Sequence, residues 1–158
     1  MRFGINTLAI LGLVLAGCSH TKVLPLGQAD AGIKRELEEF TRRFIEDFNS
    51  GNPAAFKRNF HMPHTRTISP EIEWIDDPDR PLIDYAKLRA TGWDHSVLNE
   101  LEVIYATPVK GIVRIHFSRI TKDGDVLLST DSFYIITKIK SKWGISTLFI
   151  GANELTID

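Results

Sequence analysis

From Ser96 to Ile150 the apolar residues recur at every second position, and two turn signals divide the run. A side-chain period of two belongs to strands with one buried face. Val97, Leu101, Val103 and Tyr105 share one face opposite Glu100 and Glu102, and Val113, Ile115 and Phe117 alternate with Arg114, His116 and Ser118. Asp123-Gly124 is a hairpin signal between two such runs, and Lys140-Ser141 predicts a second hairpin. Read as two-residue turns, they set the register. Val113 then faces Tyr134 and Phe117 faces Thr130, while Tyr134 faces Thr147 and Ile136 faces Ile145. One face therefore carries Val113, Ile115, Phe117, Arg119, Leu128, Thr130, Ser132, Tyr134, Ile136, Trp143, Ile145, Thr147 and Phe149. The other carries Arg114, His116, Ser129, Asp131, Phe133, Ile135, Leu148 and Ile150. A bulge in either hairpin exchanges the faces beyond it.

The first half of the chain is helical in period. Ile33, Leu37, Phe40, Phe44 and Phe48 recur at spacings of four and three, a single apolar stripe behind Asp30 as N-cap. Asn49-Ser50-Gly51 ends this helix and Asn52-Pro53 opens a second, which buries Phe56 and Phe60 and stops near His61-Met62-Pro63. Thr65–Ser69 and Glu71–Ile75 are expected as short strands around Pro70. Pro81 opens a third helix to about Thr91, with Gly92 beyond its end. Helices first and an antiparallel meander after them make an α+β layout: four long strands with one or two short ones, curved against three helices.

Residues 1–17 have a different character. Met1-Arg2 is a basic start, Thr7 to Leu15 is almost wholly apolar, and Leu15-Ala16-Gly17-Cys18 ends in small residues and the only cysteine. That is the order of a secretory signal peptide, with an apolar run about half the roughly 20 residues a spanning helix needs. The Leu-Ala-Gly-Cys ending resembles the lipobox of bacterial lipoproteins, which implies cleavage before Cys18 and acylation of its sulfur. Lipidation also accounts for a cysteine with no partner in an oxidising compartment. Ser19 stands where, in the resembling Gram-negative proteins, an aspartate favours inner-membrane retention, so the outer membrane facing the periplasm is the expected address. The expected organisation is a signal peptide at 1–17, a lipidated cysteine and flexible tether at 18–28, and one domain at 29–158. Without residues 1–17, 18 of the 19 basic residues stand against 20 acidic ones, a net charge of −2. No clustered basic excess marks a nucleic-acid partner.

Phe44 to Phe60 resembles the first helix, turn and second helix of the cone-shaped fold shared by nuclear transport factor 2, ketosteroid isomerase and the polyketide cyclases. Gly92-Trp93-Asp94-His95-Ser96, Phe117-Ser118-Arg119, Asp123-Gly124, Tyr134 to Lys138 and Trp143-Gly144-Ile145 are similar to motifs of bacterial members of that superfamily. The resemblance covers about residues 31–150 and implies a curved sheet closing over a pocket. One scaffold there serves enzymes, binding proteins and assembly factors, so activity is argued from the site. In the resembling isomerases an aspartate after the second helix is the general base and a tyrosine donates to the oxyanion. Here that stretch reads His61-Met62-Pro63-His64, without the aspartate.

His61 and His64 are the catalytic candidates, and polar caps on a loop are their simpler reading, because no third residue orients either ring. With His95 or His116 they make a poor zinc set, and no metal or cofactor is expected. His116 opposite Asp131 forms a dyad on the outer face, where an exposed ion pair or a dimer contact is the simpler reading. Arg119 is the principal pocket candidate, since an interior guanidinium must find an anion or water. Tyr134, Ser132, Thr130 and Thr147 are its expected polar neighbours, Trp74, Tyr85 and Trp93 an aromatic rim, and Asp47 its nearest candidate acid. The expected function is an envelope-anchored, non-catalytic module for a small apolar or anionic ligand, anchored to the membrane and dimerising through the outer sheet face. The alternatives are a hydro-lyase or isomerase using His61, His64 or Tyr134, and an envelope scaffold component.

Overall fold

The computed structural model describes residues 30–68 and 70–151. The signal segment, the Leu15–Cys18 motif, the tether, Ser69 and residues 152–158 lie outside the described residues. In chain order the elements are α1 (Ala31–Asn49), α2 (Pro53–Lys57), β1 (Phe60–Thr67), β2 (Glu73–Ile75), α3 (Tyr85–Ala90), β3 (Trp93–Thr107), β4 (Lys110–Thr121), β5 (Val126–Ile139) and β6 (Lys142–Ile150). The strands form one curved, unclosed sheet in the order β2-β1-β6-β5-β4-β3. Every neighbouring pair is antiparallel except β1 and β6, which run parallel. The architecture is α+β, as expected.

α1 forms where its stripe and cap direct it. The Asp30 carboxylate accepts from the N–H of Gly32 at 2.7 Å and of Ile33 at 3.4 Å, satisfying donors that the first turn leaves open. Leu37, Phe40 and Phe44 are buried against Val113, Ile115, Tyr134, Ile136 and Ile145 of the sheet. The closest approach is at Gly111, where an added Cβ would lie 2.4 Å from Leu37 Cδ1. Asn52 caps α2 in the same manner, with Pro53 in the first turn.

Three helical and strand boundaries differ from expectation. α2 is a single turn that ends at Lys57, because Phe60 is drawn into β1 and pairs with Ile145. The expected strand at 65–69 is therefore the end of a longer one, and β2 is only Glu73–Ile75. α3 starts at Tyr85 behind Asp84, whose carboxylate caps Lys87, and Pro81 to Ile83 form an irregular, bent approach to it.

The register holds in the first hairpin, by a route the sequence did not indicate. The loop is three residues, Lys122-Asp123-Gly124, with Gly124 at φ 92° and Thr121 closing on Asp125. Ile120 then pairs with Val126 and Arg119 with Leu128, so Leu127 is a bulge that restores the expected pairs, Val113 with Tyr134 among them. The second hairpin turns on Lys140 and Ser141, both at positive φ, and pairs Ile136 with Ile145 as expected. Beyond that Ser146 bulges. Tyr134 pairs with Leu148 rather than Thr147, and the faces exchange. Leu148 and Ile150 join the interior, while Thr147 and Phe149 turn outward, with Leu148 5% and Phe149 42% exposed. The outer patch expected from Phe133, Ile135, Leu148 and Ile150 thus consists of Phe133, Ile135 and Phe149, with Phe133 and Phe149 in ring contact at 5.9 Å. Register shifts in β3 likewise put Leu98, Leu101, Val103 and Ala106 inward and leave Val97 and Tyr105 exposed.

Gly111→Ala forces the buried Leu37 side chain to move, and overpacking of this kind costs about 1–3 kcal/mol. The denaturation midpoint of the variant is expected to fall accordingly. An unchanged midpoint would show that α1 does not depend on this contact.

Candidate functional site

The inner sheet face is longer than α1. Near its C-terminal end α1 is tied down by two contacts: the Asn49 side chain exchanges hydrogen bonds with the Ser96 backbone at 2.7 and 2.8 Å, and the Tyr85 hydroxyl donates to the Phe48 carbonyl at 2.8 Å. Past this point the inner face is roofed by the Pro81–Asp84 segment and α3. Between roof and sheet lies a cavity of about 350 Å³. Phe48, Phe56 and Phe60 bound it from the helical side, Leu148 and Ile150 from β6, and Leu82, Ile83 and Leu88 from the roof. Its polar wall consists of His64 and Arg66 of β1, Asp84, Lys87 and Thr91 around α3, and Arg119 of β4.

Most of these polar groups are already engaged. Arg66 Nε donates to Glu73 and its Nη1 donates to the Leu82 carbonyl at 2.8 Å, while Arg80 shares the same Glu73 carboxylate. These two guanidinium groups hold the Glu73 carboxyl below its ordinary range against the opposing effect of burial. Thr91 donates to the Leu88 carbonyl and Asp84 caps α3.

Two wall residues differ from the rest. Arg119 Nε is buried without a hydrogen-bond partner, and among the described residues no carboxylate pairs with Arg119. Burial lowers its pKa, and neighbouring Tyr134 opposes that shift slightly, but a guanidinium stays charged. His64 is 1% exposed and neither ring nitrogen has a hydrogen-bond partner. Its ring lies 4.8 Å from that of Phe60. Burial is the main cause that pushes its pKa below the ordinary histidine value, and the nearby His61 backbone, though outside hydrogen-bond geometry, opposes it.

The structure separates the remaining candidates. Tyr134 is fully interior, in edge contact with Phe44 at 5.4 Å, and burial pushes its phenol well above its ordinary value. It lies beside Arg119 but behind the cavity wall. Ser132 donates to the Phe149 carbonyl at 2.5 Å, and Thr130 is half-buried away from the cavity. Thr147 is not a pocket residue: the Ser146 bulge turns it outward, where its hydroxyl accepts from Thr65 at 3.0 Å. Trp74, 60% exposed on the edge strand β2, forms no rim. Tyr85 and Trp93 pack in a satellite cluster behind Phe48, the Tyr85 phenol pushed up to about 12 by burial and the Trp93 indole donating to Ser96 at 3.0 Å. His61 lies across Gly144 on the opposite side of the sheet from His64, with Nε2 2.9 Å from the Thr137 carbonyl. Both histidines belong to β1 rather than to a loop, so neither caps α2.

Asp47, the candidate acid for Arg119, is engaged elsewhere. It borders an open groove of about 570 Å³ near Phe40 and Trp143. Burial would raise its carboxyl, but Arg58 at 2.6 Å and Asn59 at 2.8 Å hold it below the usual range. On the outer face His116 links Asp131 at 3.2 Å to Ser129 at 3.0 Å, and Ser129 continues to Ser118. This chain has the connectivity of a serine hydrolase relay. Neither cavity borders it, and its strands spend their backbone N–H groups on the ladder, so it lacks an oxyanion site. Among the described residues no cluster of metal-ligating side chains is present. Arg66 and the roof segment were missed from sequence, although His64, Arg66 and Ile68 do recur at period two.

The depressed His64 pKa gives a pH signature. In the unfolded chain its imidazole takes a proton near 6.5, whereas the buried ring resists protonation. Its contribution to stability is therefore complete above that value and is lost as the pH falls below it. Between roughly pH 7.5 and 5.5 the melting temperature of the wild type is expected to fall more than that of His64→Leu, read by calorimetry. Parallel curves would show that the ring titrates as freely in the fold as outside it.

No curated protein matches the chain. Among solved structures it is similar to an NTF2-like protein of unknown function from Pseudomonas putida, at 8% identity over 78% of this chain and 89% of that one, with a TM-score of 0.63. A protein of unknown function with a cystatin-like fold from Nostoc punctiforme gives 12% identity, 77% and 92% coverage and a TM-score of 0.59. A candidate aromatic ring hydroxylase from Novosphingobium aromaticivorans gives 11% identity, 78% and 90% coverage and a TM-score of 0.54. At these identities the likeness is one of fold. The profile of the family described as NTF2-like protein (DUF6841) matches residues 35–152, a span that takes in most of α1, the whole sheet and every wall of the cavity, and the chain belongs to that family.

Proposed function

We propose that this chain is an envelope-anchored binding module that holds a small ligand in the cavity between α3, the Pro81–Asp84 segment and the inner sheet face. The observation that carries this reading is the combination of an apolar cavity of about 350 Å³ with two wall residues, Arg119 and His64, whose buried nitrogens (Nε of Arg119 and both ring nitrogens of His64) have no hydrogen-bond partner among the described residues. Small-molecule sites are apolar clefts of about this size with a few converging polar groups. A scaffold protein would gain by filling such a space with side chains.

Binding is favoured over acid–base catalysis by the surroundings of the candidate groups. A catalytic histidine needs a partner that fixes its tautomer and aims it, and His64 has none. Tyr134 is sealed behind the wall. The membrane address rests on the sequence alone: the basic start Met1-Arg2, the apolar run Thr7 to Leu15, the Leu15-Ala16-Gly17-Cys18 ending and Ser19.

Two measurements test the reading. A neutral probe such as phenylnaphthylamine, added to the full chain in lipid nanodiscs, is expected to fluoresce above the level of empty nanodiscs, and Ile68→Trp, which places an indole in the cavity, to abolish the excess. An equal signal from the variant, or none from the wild type, removes the binding site. For the anchor, Cys18→Ala is expected to move the protein out of the membrane fraction or leave it unprocessed. Wild-type protein recovered fully soluble with a free Cys18 thiol would end that part of the proposal.

A further inference from the structure

The other charged groups around the cavity are engaged within the protein. Arg66 and Arg80 share Glu73, Lys87 also has a partner, and Asp84 spends its carboxylate on the α3 cap. Arg119 differs: its Nε is buried without a hydrogen-bond partner, and among the described residues no carboxylate pairs with its guanidinium. It sits where β4 passes under the roof, beside Ser96 of β3 and Leu128 of β5, with Phe48, Leu88, Leu148 and Ile150 facing the same space. A partly buried cation without a counter-ion is destabilising, and this one cannot lose its proton. A fold gains nothing from such a group, whereas a ligand site does.

Resting on the binding reading above, we propose that the ligand is a monocarboxylate with an apolar body, its carboxylate paired with the Arg119 guanidinium. The planar fork of arginine matches two carboxylate oxygens in one bidentate contact. One unpartnered guanidinium offers one such contact. A phosphate dianion or a dicarboxylate would bring a second charge in among Phe48, Phe60 and Ile150, where Arg66 and Lys87 are already occupied. A neutral alcohol or amide would leave the guanidinium as it is. Size follows from volume: at about 30 Å³ for each water-sized group, the enclosed space holds on the order of a dozen non-hydrogen atoms, and a larger ligand extends through its open mouth.

The probes are naphthoate, its neutral near-isostere naphthamide, and naphthyl phosphate, each titrated by fluorescence into the full chain in nanodiscs. Naphthoate is expected to bind at least about tenfold more tightly than naphthamide, the ratio that one charge-assisted contact supplies. In Arg119→Met that preference disappears, and the melting temperature of the unliganded protein stays the same or rises, because the variant removes an unpaired, partly buried charge. Equal affinity for acid and amide, with phenylnaphthylamine uptake intact, overturns the carboxylate and leaves the cavity. Tighter binding of naphthyl phosphate replaces it with a phosphate ligand. A lower melting temperature in unliganded Arg119→Met makes the guanidinium structural and overturns the proposal as well. If phenylnaphthylamine and all three probes fail in the wild type, the binding reading itself falls.

Discussion

The fold depends on how α1 seats across a sheet longer than itself. Leu37 fits against Gly111 at one end, Phe44 meets Tyr134 in the middle, and at the other end Asn49 and Tyr85 fasten the last turn. An α-helix of 19 residues is about 28 Å long, and its apolar stripe ends at Phe48. The inner faces of β4 and β6 continue beyond that stripe to Arg119 and Ile150. The space left over is closed by a short helix and an irregular segment. Cavity and core are thus two outcomes of one mismatch in length, and the tie between Asn49 and Ser96 sets where one becomes the other.

Much of this was legible in the sequence because helices and strands write their periods directly. The α1 stripe, both Asn/Asp caps and the central register of β4 against β5 follow from residue type and spacing. Bulges were not legible. A bulge is one extra residue whose side chain obeys neither face, and no residue type demands it. Two consequences differ in kind. At the Lys122–Gly124 loop a longer turn and the Leu127 bulge cancel, so the expected pairs hold for a reason other than the one inferred. At Ser146 nothing cancels, and Thr147, Leu148, Phe149 and Ile150 all change sides.

The site was legible to the extent that it lies before these irregularities. Arg119 was placed inward by its spacing from Phe117, and the structure sets it in the cavity wall. Thr147 was lost to the Ser146 bulge, and Trp74 to an edge strand too short to cover anything. The roof was missed because Pro81 suggested a helix start, whereas the chain stays irregular until Asp84 provides the cap. His64 was read as the cap of a loop, yet β1 carries it into the interior, since Phe60 already pairs with Ile145 four residues earlier.

The two walls of the cavity are held by different forces. Around Phe48, Phe56 and Phe60 the contacts are ring against ring at 5.1 to 5.9 Å, which dissolved ions do not weaken. The opposite wall is held by Glu73 between Arg66 and Arg80, half-open to solvent, and by the Lys57 ammonium on the Arg80 carbonyl at 3.0 Å. Exposed ion pairs are individually weak, and at physiological salt they are screened over about 8 Å. The β2 side of the cavity is therefore sensitive to the ionic composition of its surroundings and the aromatic side is not. Raising the ionic strength loosens this molecule first at the β2 edge, well before it reaches the aromatic core.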